Sequence, residues 1–304
     1  MPSERFTFRP LRASDKDAVL AISAKVWDGD DYLPSSFDSW VDDGEGIFNG
    51  CFVGDKLVGC GRVGFVAPGH AWLEGLRKDL DSGVSGVGRA LCLEGLRYLS
   101  GVPGLRSIRF STYVQSAQSI ALNEAIGFRR VGTYTIKSKR LPGEPSPGED
   151  AGGYVARAAT DREAAFRRLE SSYPFDGFRI ESWKAYPLPD SAALRPDDVL
   201  IEVSSPARPS AASVLGSLDP LKAQGNVVAF FAEDQRAAKV AFLAFEEAVR
   251  SAGYSYIEAV VPRSGSLLAT LDACGYASWE TEDDFLLYEW PTDRLGRLSE
   301  VAAG

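Results

Sequence analysis

A single histidine, His70, stands in a chain of 304 residues, and that scarcity excludes a two-histidine zinc site or any histidine-centred metal cluster. The four cysteines, Cys51, Cys60, Cys92 and Cys274, form no CxxC pair and no zinc-type spacing. Each stands among apolar or small residues, the setting of a buried free thiol rather than of a nucleophile. No apolar run approaches the roughly 20 residues that span a bilayer, and the opening MPSERFTFRP has no apolar signal-peptide segment, so a cytoplasmic protein without a membrane partner is expected. The formal charge is −9, with 33 Lys and Arg against 42 Asp and Glu. Nucleic-acid binding needs clustered cations to neutralise phosphates and is therefore disfavoured, whereas a small cationic substrate is compatible with this balance.

What is present is an ordinary globular composition, 45% hydrophobic and 25% charged, at a length that suits two domains. Residues 141–153, LPGEPSPGEDAGG, offer only Pro, Gly, Ser, Ala and acidic residues after the leading leucine and read as an exposed linker. This predicts a first domain over 1–140 and a second over 154–304. The two halves echo one another. Ala13-Ser14-Asp15 and Ala159-Thr160-Asp161 are each able to cap a helix, and Ala125-Ile126-Gly127-Phe128 is answered by Ala273-Cys274-Gly275-Tyr276. The interval from Asp15 to Gly127 differs from that between Asp161 and Gly275 by only two residues, as duplication would produce.

Periodicity in the first half predicts a strand at RFTFRPL and a helix over Ser14–Trp27, followed by a polar, aromatic-rich connection. A hairpin of Ile47–Val53 and Leu57–Val66 and a strand at Trp72–Lys78 come next. A helix over Val87–Leu99, a strand over Arg106–Tyr113, a helix over Ala117–Ile126 and a strand over Arg130–Lys137 complete it. The second half predicts helices over Arg236–Arg250 and Leu267–Ala273 and strands over Tyr256–Val261 and Phe285–Trp290. The expected class is α/β, a mixed and mostly antiparallel sheet flanked by helices.

The chemistry is expected at LEGLRKDLDSGVSGVGRAL, residues 73–91, where a strand enters a glycine-rich turn that opens a helix. Unsatisfied N–H groups at a helix N-terminus attract anions, and glycines let a pyrophosphate approach the backbone. The loop follows a hairpin instead of opening a βαβ unit, which disfavours a dinucleotide-binding reading. In the second half Ala232-Glu233-Asp234-Gln235 occupies the corresponding place, and its carboxylates would repel phosphate oxygens. His70 follows Pro68-Gly69 and is expected in a solvent-exposed turn.

Leu73-Glu74-Gly75-Leu76, Gly86-Val87-Gly88-Arg89-Ala90-Leu91 and Ala125-Ile126-Gly127-Phe128 resemble the "L-E-x-L", "G-x-G-R-A-L" and "x-x-G-F" phrases of the GNAT superfamily of acyl-CoA-dependent N-acyltransferases. The resemblance covers the first half and implies two tandem GNAT-like domains, the second degenerate. It implies acetyl-CoA as co-substrate, its pyrophosphate on Gly83, Val84, Ser85, Gly86, Val87, Gly88 and Arg89. Its pantetheine arm would lie along the backbone of Leu76, Arg77 and Lys78, and Gln115 and Asn123 are further cofactor contacts. Glu74 corresponds to the family's base. The family's acid, a Tyr before "G-F", falls on Asn123, which leaves Tyr113 or Tyr134 as substitutes; the usual Arg or Gln opening the phosphate loop falls on Gly83.

Asp31-Tyr32-Leu33-Pro34, within Trp27–Trp40, is similar to a phrase of the vertebrate histidine N-acetyltransferase group. Asp31, Tyr32 and Leu33 are thereby candidate contacts to the amine of a small molecule such as a free amino acid; alternatively Tyr32 and Leu33 simply pack the connection. A non-catalytic binding module and a protein or peptide N-acetyltransferase remain the competing functions, and a monomer and a homodimer are equally compatible with the sequence.

Overall fold

The computed structural model describes residues 6–26, 29, 31–142, 151–188 and 194–297. In chain order the first half forms β1 (Thr7–Pro10), α1 (Lys16–Ser23), α2 (Leu33–Val41), β2 (Ile47–Val53), β3 (Lys56–Ala67), β4 (His70–Lys78), α3 (Val87–Ser100), β5 (Ser107–Tyr113), α4 (Ala117–Ile126) and β6 (Arg129–Arg140). The second half forms β7 (Val155–Ala158), α5 (Arg162–Ser172), β8 (Phe178–Glu181), β9 (Lys184–Pro187), β10 (Val199–Ser205), β11 (Arg208–Asp219), β12 (Gln224–Ala232), α6 (Gln235–Ser251), β13 (Tyr256–Pro262), α7 (Gly265–Ala273), β14 (Ala277–Ser278) and β15 (Phe285–Trp290). The mixed, mostly antiparallel sheet expected from the sequence is present.

Two compact units emerge, and neither is a single stretch of chain. The first comprises Met1–Thr112, Ser116–Val131 and Leu287–Gly304; the second comprises Tyr113–Gln115 and Gly132–Leu286. The contact boundary therefore does not coincide with a cut at residues 141–153. Strand β6 explains one exchange: it pairs antiparallel with β13 from Tyr256↔Arg140 to Pro262↔Tyr134. The aromatic side chains of β15 explain the other, because Tyr288 stacks on Phe110 at 5.2 Å and Trp290 meets Phe128 at 5.4 Å in the first unit.

In the first unit the sheet runs β1-β2-β3-β4-β5 and continues into Leu287–Trp290 of β15. Pairing is antiparallel from β1 to β4, and β5 joins β4 in parallel through His70↔Ser107, Ala71↔Ile108 and Trp72↔Arg109. A helix was not expected in the connection after α1, but Leu33–Val41 forms one. Pro34 is tolerated in its first turn, where its missing N–H costs nothing, and Leu33, Phe37 and Trp40 fall on one buried face. Full burial of Phe37 contributes about 2–3 kcal/mol. Conversely, α1 is shorter than expected: a 3-10 turn over Ala13–Asp15 precedes it, and Asp15 accepts the Arg12 N–H at 2.8 Å. Trp27, Asp28 and Asp30 lie outside the described residues, as does most of the linker.

In the second unit the order is β6-β13-β12-β11-β10-β7, with β12 and β13 parallel and β14 on β6. Its core gathers α5, α6 and α7 on the sheet through residues such as Phe166, Leu169, Phe242, Phe245 and Leu271. Among the described residues no helix is long and apolar enough to cross a membrane. All four cysteines are buried and free, as expected.

Candidate active site

The centre of the first unit's candidate site is a bulge in β4. Arg62 stands opposite Glu74 and Cys60 opposite Arg77, so Gly75 and Leu76 together face the single Gly61. Such a bulge turns a backbone amide out of the ladder and re-aims the strand. Glycine is required, because position 75 has φ of +65° and a Cβ there would lie 2.5 Å from the Trp40 ring. The Gly75 N–H donates to the Tyr32 hydroxyl at 3.1 Å. The Tyr32 ring is 39% exposed, yet its hydroxyl reaches inward, and burial pushes its pKa up to about 12.

Around the bulge, three carboxylates share two guanidiniums. Arg62 bridges Glu74 and Asp43, and its guanidinium lies 5.1 Å from the Trp40 ring. Arg77 grips Asp31 through both carboxylate oxygens, at 2.7 and 2.9 Å, and stands over Tyr32 at 5.3 Å. The side chain of Asp31 is fully buried and also accepts from Ser23 at 2.7 Å. Burial works to raise the Asp31 pKa, but the Arg77 pair overrides it and holds the carboxyl below its ordinary value.

Beyond β4 the chain folds into the glycine-rich loop. Asp79 organises it: its N–H donates to Val58 at 2.8 Å, and its carboxylate accepts from the Asp81 N–H at 3.1 Å and pairs with Lys25 and Lys56 at 3.0 and 3.1 Å. Burial works to raise the Asp79 pKa, but the two lysines dominate and bring it to about 2. Gly83 and Gly86 have φ of +70° and +80°, and nothing lies within 4 Å of where a Cβ would stand on either. Gly86 is the N-cap of α3, and no side chain caps that helix. Gly83, Ser85 and Gly86 are exposed, Val84, Gly88 and Arg89 half-buried, and Val87 buried beneath the loop. The matching helix of the second unit differs: Asp234 caps α6, accepting the Ala237 N–H at 2.8 Å.

Several expected contacts are committed elsewhere. Leu33 is fully buried against the α2 core and presents nothing to a substrate. Asn123 is 4% exposed; its amide donates to the Ser119 carbonyl at 2.8 Å and its oxygen accepts from the Cys92 thiol at 3.8 Å, which turns it away from a cofactor. Tyr113 and Gln115 group with the second unit, where both donate to Glu280, at 2.7 and 2.6 Å. Burial, followed by the Glu280 hydrogen bond, pushes the Tyr113 pKa up to about 12. Tyr134 is 2% exposed against Phe285. His70 is not in an exposed turn: it opens β4, is 5% exposed and meets the Ser107 hydroxyl at 2.8 Å. Lys78 is exposed at the end of β4. Three site residues, Trp40, Asp43 and Arg62, were not anticipated. An arginine inside the glycine-rich apolar strand Gly59–Phe65 was the available signal, because an unpaired charge is not left in a strand interior.

Among the described residues no group of His, Cys, Asp and Glu could hold a metal ion. No curated protein matches the chain in sequence. Residues 17–128 match the model of the acetyltransferase (GNAT) family. A GCN5-related N-acetyltransferase from Sphaerobacter thermophilus superposes with a TM-score of 0.66 at 15% identity, covering 94% of this chain and 96% of that one. A tandem GNAT protein from the clavulanic acid biosynthesis pathway superposes with a TM-score of 0.56 at 16% identity, covering 94% and 98%. A glucosamine N-acetyltransferase region of a fungal multi-domain β-N-acetylglucosaminidase gives 0.62 at 14%, covering 95% of this chain and 38% of that one. The likeness to the histidine N-acetyltransferase group finds no counterpart among these. The chain thus has the fold of the GNAT acetyltransferases, matches their family model over residues 17–128, and superposes over 94% of its length on a tandem GNAT protein.

Proposed function

We propose that this chain is an acetyl-CoA-dependent N-acetyltransferase acting on a small amine, with its working site in the first unit and a second unit that holds no cofactor. The observation that carries this reading is the pairing of a β4 bulge with a glycine-capped, side-chain-free helix N-terminus a few residues later. In this reading the N–H groups of Val87, Gly88 and Arg89 hold the pyrophosphate and Val84 and Ser85 shape the loop, which the open space beside Gly83 and Gly86 supports. The loop's own acids do not oppose this role, because Lys25 and Lys56 neutralise Asp79 and Lys25 also pairs with Asp81. The backbone of Leu76, Arg77 and Lys78 offers the pantetheine arm a strand edge. Acetyl-CoA, when bound, supplies an activated thioester carbonyl to an amine nucleophile.

The protein's own groups then divide the work. Gly75 spends its N–H on Tyr32, so the neighbouring Leu76 N–H is the bulge donor assigned to the carbonyl oxygen. Glu74, held by Arg62, takes the ammonium proton directly or through a water. The excess of carboxylate over guanidinium around the bulge favours a cationic acceptor, with Tyr32 and Trp40 as its aromatic wall. Asp31 acts through Arg77, not by touching the substrate. The likeness that pointed to histidine as acceptor is weakened, since Leu33 of that phrase is core and Asp31 an internal ion pair. In the second unit the Asp234 cap fills the place of the phosphate, which makes this copy a structural or substrate-shaping partner.

The non-catalytic alternative draws on one observation: of the two candidates for protonating the leaving thiolate, Tyr113 is hydrogen-bonded to Glu280 and Tyr134 is buried against Phe285. Release of coenzyme A thiol against a panel of amino acids, polyamines, aminoglycosides and short peptides decides between them. Turnover with small amines supports the proposal; turnover with peptides alone, or acetyl-CoA binding without turnover on any acceptor, overturns it.

A further inference from the structure

In the second unit three aromatic rings converge where the tandem-fold chemistry just described has no use for them. Trp183 lies 6.5 Å from Tyr113 and 5.5 Å from Trp279, and Trp279 lies 6.3 Å from Tyr113, centroid to centroid. Trp279 is 43% exposed, an unusual placement for an indole that has a packed core nearby. The hairpin carrying Trp183 is strained: Ser182 and Trp183 fill the two-residue turn between β8 and β9 with φ of +48° and +69°. Such a turn normally takes Asn-Gly, and a bulky residue there is an outlier. Backbone strain of this kind persists where the surrounding structure holds a side chain in place, and it concentrates at ligand sites.

The charge around the rings is one-sided. Glu280 is fixed by the Tyr113 hydroxyl and the Gln115 amide, both neutral donors, so its charge is positioned without being cancelled. The Trp183 indole hydrogen-bonds Glu258, which is 4% exposed and keeps one carboxylate oxygen without a partner. Asp284, fully buried, acts on the Tyr113 hydroxyl, but burial raises the pKa of both Asp284 and Glu258, so the charge held at the rings is that of Glu280. Lys222 reaches the Ser182 carbonyl at 3.3 Å and acts on Glu258, whereas Arg263 pairs with Asp283 at 2.7 Å and Arg140 stands over Tyr256 at 5.7 Å, so no cation pairs with Glu280 among the described ion pairs. Aromatic faces backed by fixed carboxylates attract organic cations, because the ring quadrupole and the anion act in the same direction.

We propose that Tyr113, Trp183, Trp279 and Glu280 form a binding ledge for a small organic ammonium ion. Choline is the probe, titrated without acetyl-CoA so that no acyl transfer to its hydroxyl can occur, because its quaternary nitrogen is a permanent cation. Its neutral isostere 3,3-dimethylbutan-1-ol reports the apolar contribution alone, and sodium chloride at matched ionic strength reports screening. Titration of the full chain, followed by the indole N–H resonances, should show saturable choline binding, at least about tenfold weaker with the isostere. Glu280→Gln and Trp279→Leu should each weaken choline by about tenfold, while acetyl-CoA affinity and melting temperature stay unchanged. Absence of saturable choline binding, equal binding of the isostere, or Glu280→Gln binding choline as the parent protein does would each overturn the proposal. Loss of acetyl-CoA binding with choline binding intact would instead fall on the proposed function and leave the ledge standing.

Discussion

Replacing Gly75 by alanine tests whether the β4 bulge is built as described. Two penalties combine. A non-glycine residue at φ of +65° costs about 1–2 kcal/mol through its backbone alone. The new Cβ would also lie 2.5 Å from Trp40 Cζ3 and 2.9 Å from Cη2. Trp40 cannot step aside freely, since it is 9% exposed and packed edge-on against Phe48 at 5.2 Å. Overpacking of this kind costs about 1–3 kcal/mol, so the total is about 2–5 kcal/mol. At roughly 2–4 °C per kcal/mol, the melting temperature should fall by roughly 4–20 °C. Gly83→Ala is the internal control, because its φ is +70° but no atom lies within 4 Å of its Cβ position. It should cost only the backbone share, about 1–2 kcal/mol. Adding Trp40→Leu to Gly75→Ala should recover the steric share, giving a coupling of at least about 0.5 kcal/mol in a double-mutant cycle. Differential scanning calorimetry of the four variants reads all of this. Equal losses for Gly75→Ala and Gly83→Ala, or no coupling to Trp40, would refute the packing argument.

Gly86→Glu should abolish acetyl-CoA binding by calorimetry, since a carboxylate at the open N-cap of α3 would occupy the anion site as Asp234 does in α6. Glu74→Gln should lower turnover by about a hundredfold with acetyl-CoA affinity unchanged, and a turnover equal to that of the parent across pH would remove Glu74 as base. Asp79 has a pKa depressed to about 2 from an ordinary 3.8, so it stabilises the folded state above pH 4 and that share is lost as pH falls towards 2; acid titration followed by circular dichroism should show Asp79→Asn losing this dependence. Burial raises the Cys51 pKa to about 11 and those of Cys60 and Cys92 to about 12, so these thiols should resist iodoacetamide at pH 8 until the chain is unfolded, as mass spectrometry can read.

Local signals carried most of the fold. Turn glycines and period-two alternation located Ile47–Val53 to the residue, and α4 emerged over Ala117–Ile126 as expected because Gly127 stops it with φ of +111°. Helix α2 was concealed by Pro34 and two serines in its first turn, although Leu33, Phe37 and Trp40 already carried the helical stripe. The phosphate loop was legible because glycine, backbone amides and helix start are neighbours in sequence. The side-chain partners were not. Arg77 finds Asp31 46 residues away, and Tyr113 finds Glu280 across 167, pairings that no spacing rule encodes. The same holds for the composition of the units, where Gly132–Arg140 and Leu287–Trp290 pack according to long-range partners rather than chain order.

The stoichiometry of acetyl-CoA binding to the full chain, measured by isothermal titration calorimetry, bears most directly on the central claim. One molecule per chain, lost in Gly86→Glu, is the predicted result, because α3 opens on bare glycine and α6 on the Asp234 carboxylate. No binding at all, or two equivalent molecules per chain, would contradict the account.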